Sequence, residues 1–293
     1  MMYACPHCSP EKDVSERRTK IHRIGHYRRK SDSKYVQRFR CTSCSKCFST
    51  ATFHPCFRQH KRRFNFKVFQ FLASGVSQRR SAKLLNLNRK TVVRKFLFEG
   101  HRCLEKLKAS NKELSKQNVV VFDDLETTEH TKCKPLSVTL MVTEKRRILD
   151  FEVAKMPAKG KLARIAFKKY GPRKDERPQA RRKLFERMQP LIAETAVIKS
   201  DENPHYISDV KKYFPKAEHK RFKGQRGSIV GQGELKKIRF DPIFSLNHTY
   251  AMLRANMNRL FRRTWCTTKI PERLRLHIAI YSIYHNFYLL DGS

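Results

Sequence analysis

Two acidic side chains follow apolar, strand-like runs at distant places in the chain. Asp123 comes directly after residues 119–122, Val-Val-Val-Phe, and Asp201 follows residues 196–198, Ala-Val-Ile, after two polar residues. Short β-branched runs of this kind are typical of buried strands. A carboxylate is costly to bury unpaired, so an acid there serves a site, a cap or a turn, unless the strand end is simply solvated. Two such acids on neighbouring strands would hold a divalent cation, Mg²⁺ or Mn²⁺.

Cysteine pairs supply a second group of metal ligands. Cys5 with Cys8, and Cys41 with Cys44, form two Cys-x-x-Cys motifs separated by a basic, strand-like segment. Four thiolates in two such pairs suit tetrahedral Zn²⁺ and predict a zinc ribbon, and the alternative is a set of unmetallated thiols. Cys47 also has this spacing from Cys44, which makes the fourth ligand ambiguous; we prefer Cys41 and Cys44. A ribbon this small buries little core, so the metal would stabilise its fold.

A helix-turn-helix pattern follows over residues 64–116. An apolar helix ends near Gly75, a second helix begins after the N-cap Ser77, and Asn88 caps a third. The third helix begins with basic and hydroxyl side chains, as expected where a helix meets base edges. The basic residues expected to contact DNA here are Arg79, Arg80, Arg89, Lys90 and Arg94. The alternative is a plain three-helix bundle with a solvated basic face.

The net charge of the chain indicates its partner. Lys and Arg number 65 against 26 acids, which gives a formal charge of +39 over 293 residues. Nucleic acid, with double-stranded DNA preferred, is the default partner for such an excess, and an anionic membrane surface is the rival, disfavoured because the basic residues are not gathered on one amphipathic helix. No apolar run approaches the ~18 residues that a membrane span requires, and no secretory signal is evident. We therefore expect a cytoplasmic protein with no membrane partner, in which the nine cysteines are metal ligands or free thiols.

The region of residues 117–293 has the pattern of a mixed sheet flanked by helices. Strand-like runs at 136–142 and 148–153 follow the first strand as an antiparallel meander. The Asp201 strand comes after a helix, which implies a crossover to a parallel neighbour. We expect a loop over 172–183 before that helix. The predicted fold class is multidomain α+β, with a zinc ribbon over residues 1–63, a helix-turn-helix over 64–116 and the mixed sheet over 117–293.

This order of elements resembles the ribonuclease-H-like fold of Asp-Asp-Glu transposases and integrases. Together with the ribbon and the helix-turn-helix, it resembles bacterial insertion-sequence transposases, especially the insertion sequence one family. The most specific stretch is residues 253–269, LRANMNRLFRRTWCTTK, which is similar to that family's C-terminal helix. The resemblance implies that Asp123 and Asp201 take the first two acidic positions on neighbouring strands. It further implies Mg²⁺-dependent cleavage and transfer of DNA strands at terminal inverted repeats, by a homodimer or higher oligomer associated with the bacterial nucleoid.

The chain departs from that family's pattern at the third acidic position, where Asn247 stands in place of Glu. An Asn carbonyl can bind Mg²⁺ but is neutral. Glu234 and Asp241 are alternative ligands, and we prefer Asn247 because Glu234 follows a glycine-rich stretch, 224–233. The alternative function is a catalytically impaired, transposase-derived DNA-binding protein or regulator. A third possibility, an RNA-binding structural protein, would leave the two acids without a purpose.

One long helix is expected near the C-terminus, over residues 246–264. Its apolar face should pack on the sheet, while Arg254 and Arg262 would contact the DNA backbone. Trp265, which follows it, is expected in the core, with a dimer surface as the alternative.

Overall fold

The protein divides into two compact units, Met1–Lys67 and Val68–Ser293. The computed structural model describes residues 3–8, 20–30, 32–223, 241–261 and 264–290. Glu234, Arg262 and the glycine-rich stretch 224–233 therefore lie outside the described residues.

The N-terminal unit is built on a small antiparallel sheet. Its strands are β1 (Ile21–Arg28), β2 (Tyr35–Cys41) and β3 (Cys47–Ser49), which pair in that order. Phe39 and Phe48 pack with Cys5 and Cys41 in a small core. A unit with so little apolar area needs stabilisation beyond hydrophobic packing.

A mixed five-stranded sheet forms the centre of the second unit. Its strands are β4 (Gln117–Thr128), β5 (Pro135–Thr143), β6 (Ile148–Lys155), β7 (Ile192–Asp201) and β8 (Glu218–Phe222). Their spatial order is β6-β5-β4-β7-β8, in which β4, β5 and β6 are antiparallel neighbours and β7 lies parallel to both β4 and β8. The predicted α+β class, the meander and the parallel crossover are confirmed.

Helices pack on both faces of this sheet. The helices of the described residues are α1 (Asn65–Ala73), α2 (Gln78–Leu84), α3 (Arg89–Lys112), α4 (Lys161–Tyr170), α5 (Arg177–Met188), α6 (His205–Tyr213), α7 (Phe244–Asn256) and α8 (Pro271–Tyr284), which continues as a π-helix over His285–Leu290. α5 and α6 pack on one face, and α3, α7 and α8 on the other. None of these described helices combines the length and the apolar character needed to cross a membrane.

The residue alternation along β4 explains the two layers. Val120 and Phe122 pack with α5 and α6, whereas Val121 and Leu125 pack with the helices of the opposite face. Successive side chains of a strand point to opposite faces, so a strand covered on both sides must be apolar throughout. The Val-Val-Val-Phe run thus makes β4 a central strand, and its polar end emerges from between two layers.

The helical segment that precedes the sheet shares the larger hydrophobic core with it. α3 runs along α8, and the approach is closest at Gly100. A Cβ atom at this position would lie 2.7 Å from the Cβ atom of Leu276. Glycine is therefore required here for close packing, despite its cost inside a helix.

The predicted helix over 246–264 is shorter than expected. α7 ends at Asn256, and Met257 is extended, with φ −115° and ψ 109°. Beyond it the chain folds back on itself, and Thr264 Oγ1 donates to the carbonyl oxygen of Asn258 at 2.8 Å. The predicted apolar face is nevertheless buried, through Leu246, Tyr250, Leu253, Met257 and Leu260.

Two further expectations were wrong. Trp265 does not lie in the core, because it sits on the chain segment that folds back after α7, and its side chain is fully exposed (101%). The segment 172–183 is only partly a loop, because α5 begins at Arg177. Pro178 falls in the first turn of that helix, where the missing N–H costs nothing.

Candidate functional site

Parallel pairing brings the two predicted acids to the same edge of the sheet. β4 and β7 are in register as far as Val121, which lies opposite Lys199. Two residues farther along each strand, Asp123 and Asp201 occupy matching positions on neighbouring strands. Both side chains are half-buried.

The two carboxylates repel each other. Burial, and then the negative charge of Asp201, raise the pKa of Asp123 to about 7. Burial likewise raises the pKa of Asp201, and the charges of Asp124 and Glu202 act in the same direction. Among the described residues, the charged groups that act most on these two acids are other acids, although the chain carries 65 Lys and Arg residues. Such a cluster binds either a proton or a cation.

Two tyrosines hold Asp123 from opposite faces of the sheet. Tyr206 on α6 donates its hydroxyl to Asp123 Oδ1 at 3.0 Å, and Tyr250 on α7 donates to the Asp123 backbone carbonyl. Tyr206 is fully buried against Phe122, and the guanidinium of Arg181 lies 5.0 Å from its ring centre. The sequence pattern did not indicate either tyrosine, because each is brought to the acid by tertiary packing.

A buried ion pair supports Tyr206. Arg181 on α5 binds Asp209 on α6, with a nitrogen–oxygen distance of 2.5 Å, and both side chains are almost fully buried. A buried pair of this kind contributes more to orientation than to net stability. It fixes α6 against α5 and thereby fixes the hydroxyl that reaches Asp123.

Asp124 is a third acid at this edge. Its carboxylate accepts a hydrogen bond from Thr139 on β5, and its charge raises the pKa of both Asp201 and Tyr206. The adjacent pair Asp123 and Asp124 was visible in the sequence, but the strand pattern alone did not assign a role to the second acid. Within the described residues, only cysteines form a group of three or more candidate ligands whose atoms all lie within 4.8 Å.

Asn247 lies on the first turn of α7, where it is exposed. Its amide nitrogen donates to Asp241 Oδ2 at 2.9 Å, and Asp241 Oδ1 accepts the backbone N–H of Ile243 at 3.0 Å. Tyr250, which binds the Asp123 carbonyl, lies three residues farther along the same helix. Two of the three candidate third ligands thus form one hydrogen-bonded pair, and the third, Glu234, lies outside the described residues.

Four cysteines of the N-terminal unit converge as the sequence spacing predicts. The sulfur atoms of Cys5, Cys8, Cys41 and Cys44 all lie within 4.8 Å of one another, and Cys5–Cys44 and Cys8–Cys41 are each 3.6 Å apart. Tetrahedral zinc with Zn–S bonds of about 2.3 Å needs sulfur–sulfur distances of about 3.8 Å. Cys47 is exposed and lies outside this group.

The protonation of these thiols favours a bound cation. Burial acts to raise the pKa of Cys41, but hydrogen bonds from the backbone of Cys44 and Ser43 and from the Cys8 thiol lower it to about 6. The same hydrogen bond, with burial, raises the pKa of Cys8 to about 12. The Cys41 thiolate therefore forms readily while Cys5 and Cys8 keep their protons, which a divalent cation would displace.

The basic residues predicted to contact DNA in the helical segment are all exposed, namely Arg79, Arg80, Arg89, Lys90 and Arg94. Both predicted N-caps are present. Ser77 accepts the N–H of Arg80 at 3.2 Å, and Asn88 accepts the N–H of Lys90 at 2.8 Å. Arg254 on α7 is half-buried. The first turns of α2 and α3 are thus well-formed and basic.

Among solved structures, the chain is similar to the catalytic domain of Mos1 mariner transposase. The match covers 68% of this chain and 93% of that domain, with 11% sequence identity and a TM-score of 0.26. No protein-family model and no curated protein matches the chain. A likeness this weak does not establish the function of this chain.

The cysteine geometry predicts a zinc-dependent N-terminal unit. We expect about one zinc ion per purified chain. Cys41→Ser should remove it, because three thiols and a hydroxyl bind zinc far more weakly, and the unit should unfold at a lower temperature. Cys47→Ser is the matched control and should keep the metal. Mass spectrometry of the metal content measures both, and a Cys41→Ser protein with full zinc would contradict the assignment.

The raised pKa of Asp123 predicts a pH-dependent stability in magnesium-free buffer. Between pH 3.8 and about 7 the folded protein holds this proton more tightly than the unfolded chain does, so stability should fall as pH rises through that window. The difference corresponds to at most about 4 kcal/mol. Asp123→Asn should therefore raise Tm at pH 8 by about 4 °C or more.

Calorimetry at pH 5 and pH 8 would measure this effect. Mg²⁺ should raise the Tm of the unsubstituted protein at pH 8 and have little effect on Asp123→Asn. Glu113→Gln, an exposed acid at the end of α3, is the control. An Asp123→Asn protein that is less stable at pH 8 than at pH 5 by the same margin as the unsubstituted protein would refute the prediction.

Proposed function

We propose that this protein is a DNA transposase of the Asp-Asp-Glu type with a ribonuclease-H-like catalytic domain, which cleaves and joins DNA strands with Mg²⁺ or Mn²⁺. The observation that carries the proposal is the meeting of Asp123 and Asp201 on adjacent parallel strands, where each is surrounded by other acids. A partly buried cluster of acids without a basic partner among the described residues is costly unless it binds a proton or a cation.

The acidic edge suits a hard divalent cation. Asp123 and Asp201 offer carboxylate oxygens, the ligands that Mg²⁺ prefers, and Asp124 adds negative charge beside them. Asp123, Asp201 and a third ligand would hold two such cations, one to activate water or a 3′-hydroxyl as the nucleophile and the other to stabilise the leaving oxygen. The cation would also lower the pKa of Asp123, since it replaces the repulsion from Asp201 with attraction.

The tyrosines would keep the site aligned. Tyr206 binds one carboxylate oxygen of Asp123, which leaves the other oxygen available to a cation, and Tyr250 binds the backbone carbonyl of the same residue. Hydroxyls that are fixed by burial keep a ligand within the narrow geometry that catalysis demands. Arg181, paired with Asp209, keeps Tyr206 in place.

Asn247 is our preferred third ligand. Asp241 already accepts at both carboxylate oxygens, from Ile243 and from the Asn247 amide nitrogen. Because the nitrogen of Asn247 is turned towards Asp241, its carbonyl oxygen faces away from that acid, and a carbonyl oxygen is a ligand for Mg²⁺. Asp241 then has a positioning role, and Glu234 is the second choice.

The N-terminal ribbon and the helical segment would bind the terminal inverted repeats. Helices α2 and α3 fit a helix-turn-helix, with α3 as the recognition helix and its exposed basic first turn at base edges. Arg254 and Arg262 would contact the DNA backbone. We expect a homodimer or higher oligomer on DNA, since two element ends must be joined together, in a cytoplasmic, nucleoid-associated protein.

A catalytically impaired DNA-binding protein is the second candidate. It is favoured by the neutral Asn247 and by the absence, within the described residues, of three acids whose oxygens lie within 4.8 Å. It predicts binding to the repeat ends without metal-dependent cutting.

The proposed chemistry predicts a separation of binding from catalysis. Asp201→Asn should lower Mg²⁺-dependent strand joining by at least about 100-fold, because the loss of one metal ligand costs several kcal/mol in the transition state. Binding to repeat-end DNA should be unchanged or slightly stronger, since one negative charge is lost. Glu113→Gln is the control, an exposed acid at the end of α3, and should keep full activity.

Strand joining with purified protein and repeat-end DNA measures the first effect, and a gel-shift assay the second. Full activity in Asp201→Asn would refute the catalytic assignment. Repeat-end binding by an unsubstituted protein that never cuts would favour the impaired regulator.

The choice of third ligand can be tested by adding or removing a charge. Asn247→Glu should lower the Mg²⁺ concentration needed for half-maximal strand joining, because a third carboxylate binds the cation more tightly. Asn247→Ala should raise it by about 10-fold, and Asp241→Asn should have a smaller effect. Loss of activity in Asp241→Asn with none in Asn247→Ala would instead assign the ligand to Asp241.

A further inference from the structure

Trp265 is the single tryptophan of the chain, and its side chain is fully exposed (101%). An isolated exposed aromatic needs no explanation by itself. The surroundings of Trp265 are what distinguish it, because basic side chains from three other parts of the same unit lie beside it. An indole next to several cations is the combination that binds single-stranded nucleic acid.

A pocket of about 520 Å³ contains Trp265 in its wall. Its basic lining residues are Arg79 on α2, Arg89 at the start of α3, Arg259 and Lys269. Such a volume is within the usual range for small-ligand pockets, about 300–1,000 Å³. The pocket therefore has room for a base beside the indole, with cations near enough to bind its phosphates.

The segment that carries Trp265 is fixed on both sides. Before it, Thr264 donates to the carbonyl oxygen of Asn258 at 2.8 Å. After it, the carbonyl oxygen of Thr268 accepts the backbone N–H of His130 at 2.7 Å. An indole held on an ordered segment loses little entropy when it stacks on a ligand, which favours affinity.

We propose that Trp265 stacks on an unpaired base of a DNA strand whose phosphates are bound by Arg79 and Lys269. Paired bases in a duplex hide their faces, so a fully exposed indole can stack only on a base that has left the helix or belongs to a single strand. Arg79 and Arg89 lie in the first turns of α2 and α3, so the unpaired base would lie next to the duplex bound there. The inference rests on the proposed function for the choice of DNA as the ligand.

The fluorescence of the full-length protein can test this directly, because Trp265 is the single tryptophan and can be excited at a wavelength that the ten tyrosines do not absorb. The probes are an oligo(dT) single strand and an abasic oligonucleotide of the same length, in magnesium-free buffer. Oligo(dT) should quench the emission, because its bases stack on the indole. The abasic strand should bind through its phosphates with little quenching.

Substitutions give the second measurement. Trp265→Ala should weaken oligo(dT) binding by about 5- to 140-fold, the loss of one stacked base, and Trp265→Phe by less. Neither should change binding of the abasic strand. Phe167→Ala, another exposed aromatic but outside this pocket, is the matched control and should bind both strands normally.

Several outcomes would overturn the inference. Unchanged oligo(dT) affinity in Trp265→Ala, or an equal loss for the abasic strand, would exclude stacking. Tighter binding and stronger quenching by oligo(rU) would assign the pocket to RNA. If the unsubstituted protein shows the quenching but never joins strands, only the proposed catalysis is refuted. If it binds no nucleic acid, both the catalysis and the stacking on Trp265 are refuted.

Discussion

The fold of the second unit holds the carboxylates of Asp123 and Asp201 near enough to repel each other, and the properties of the site depend on this repulsion. Parallel pairing of β4 and β7 sets the two acids side by side, and their partial burial weakens the screening of their charges by water. The packing of the helical layers on both faces of the sheet offsets the free-energy cost of this repulsion. Although the chain has 65 basic residues, no described Lys or Arg forms an ion pair with either acid, and the charges that act on them come from neighbouring acids.

The two units differ in what stabilises them. The small N-terminal unit has few apolar side chains to bury. Its four cysteines offer ligands for a metal ion, which would cross-link the unit. The second unit has a large core and uses part of its stability to hold Asp123 and Asp201 together. In the first unit a metal would stabilise the fold, whereas in the second the fold already places the acids that a metal would bind.

Local patterns in the sequence predicted the elements that depend on local physics. The apolar runs of β4 and β7, the caps Ser77 and Asn88 and the Cys-x-x-Cys pairs were all recognisable because each has its own signature. Tyr206 and Tyr250 were not, since their contacts with Asp123 arise only when distant segments pack. The end of α7 and the exposure of Trp265 were also missed, because neither proline nor glycine marks the point where the chain folds back.

Given the proposed function, the length of helix α3 bears on the distance along DNA between the sequence that is recognised and the position that is cut. It is one continuous helix of 24 residues, about 36 Å long, from Arg89 to Lys112, and it packs against α8 at Gly100. Its amino end carries Arg89, and its carboxyl end leads within a few residues into β4, the strand that bears Asp123. Given the proposed function, α3 would act as a ruler, and the number of base pairs between the recognised sequence and the cut would be a constant set by the length of one helix.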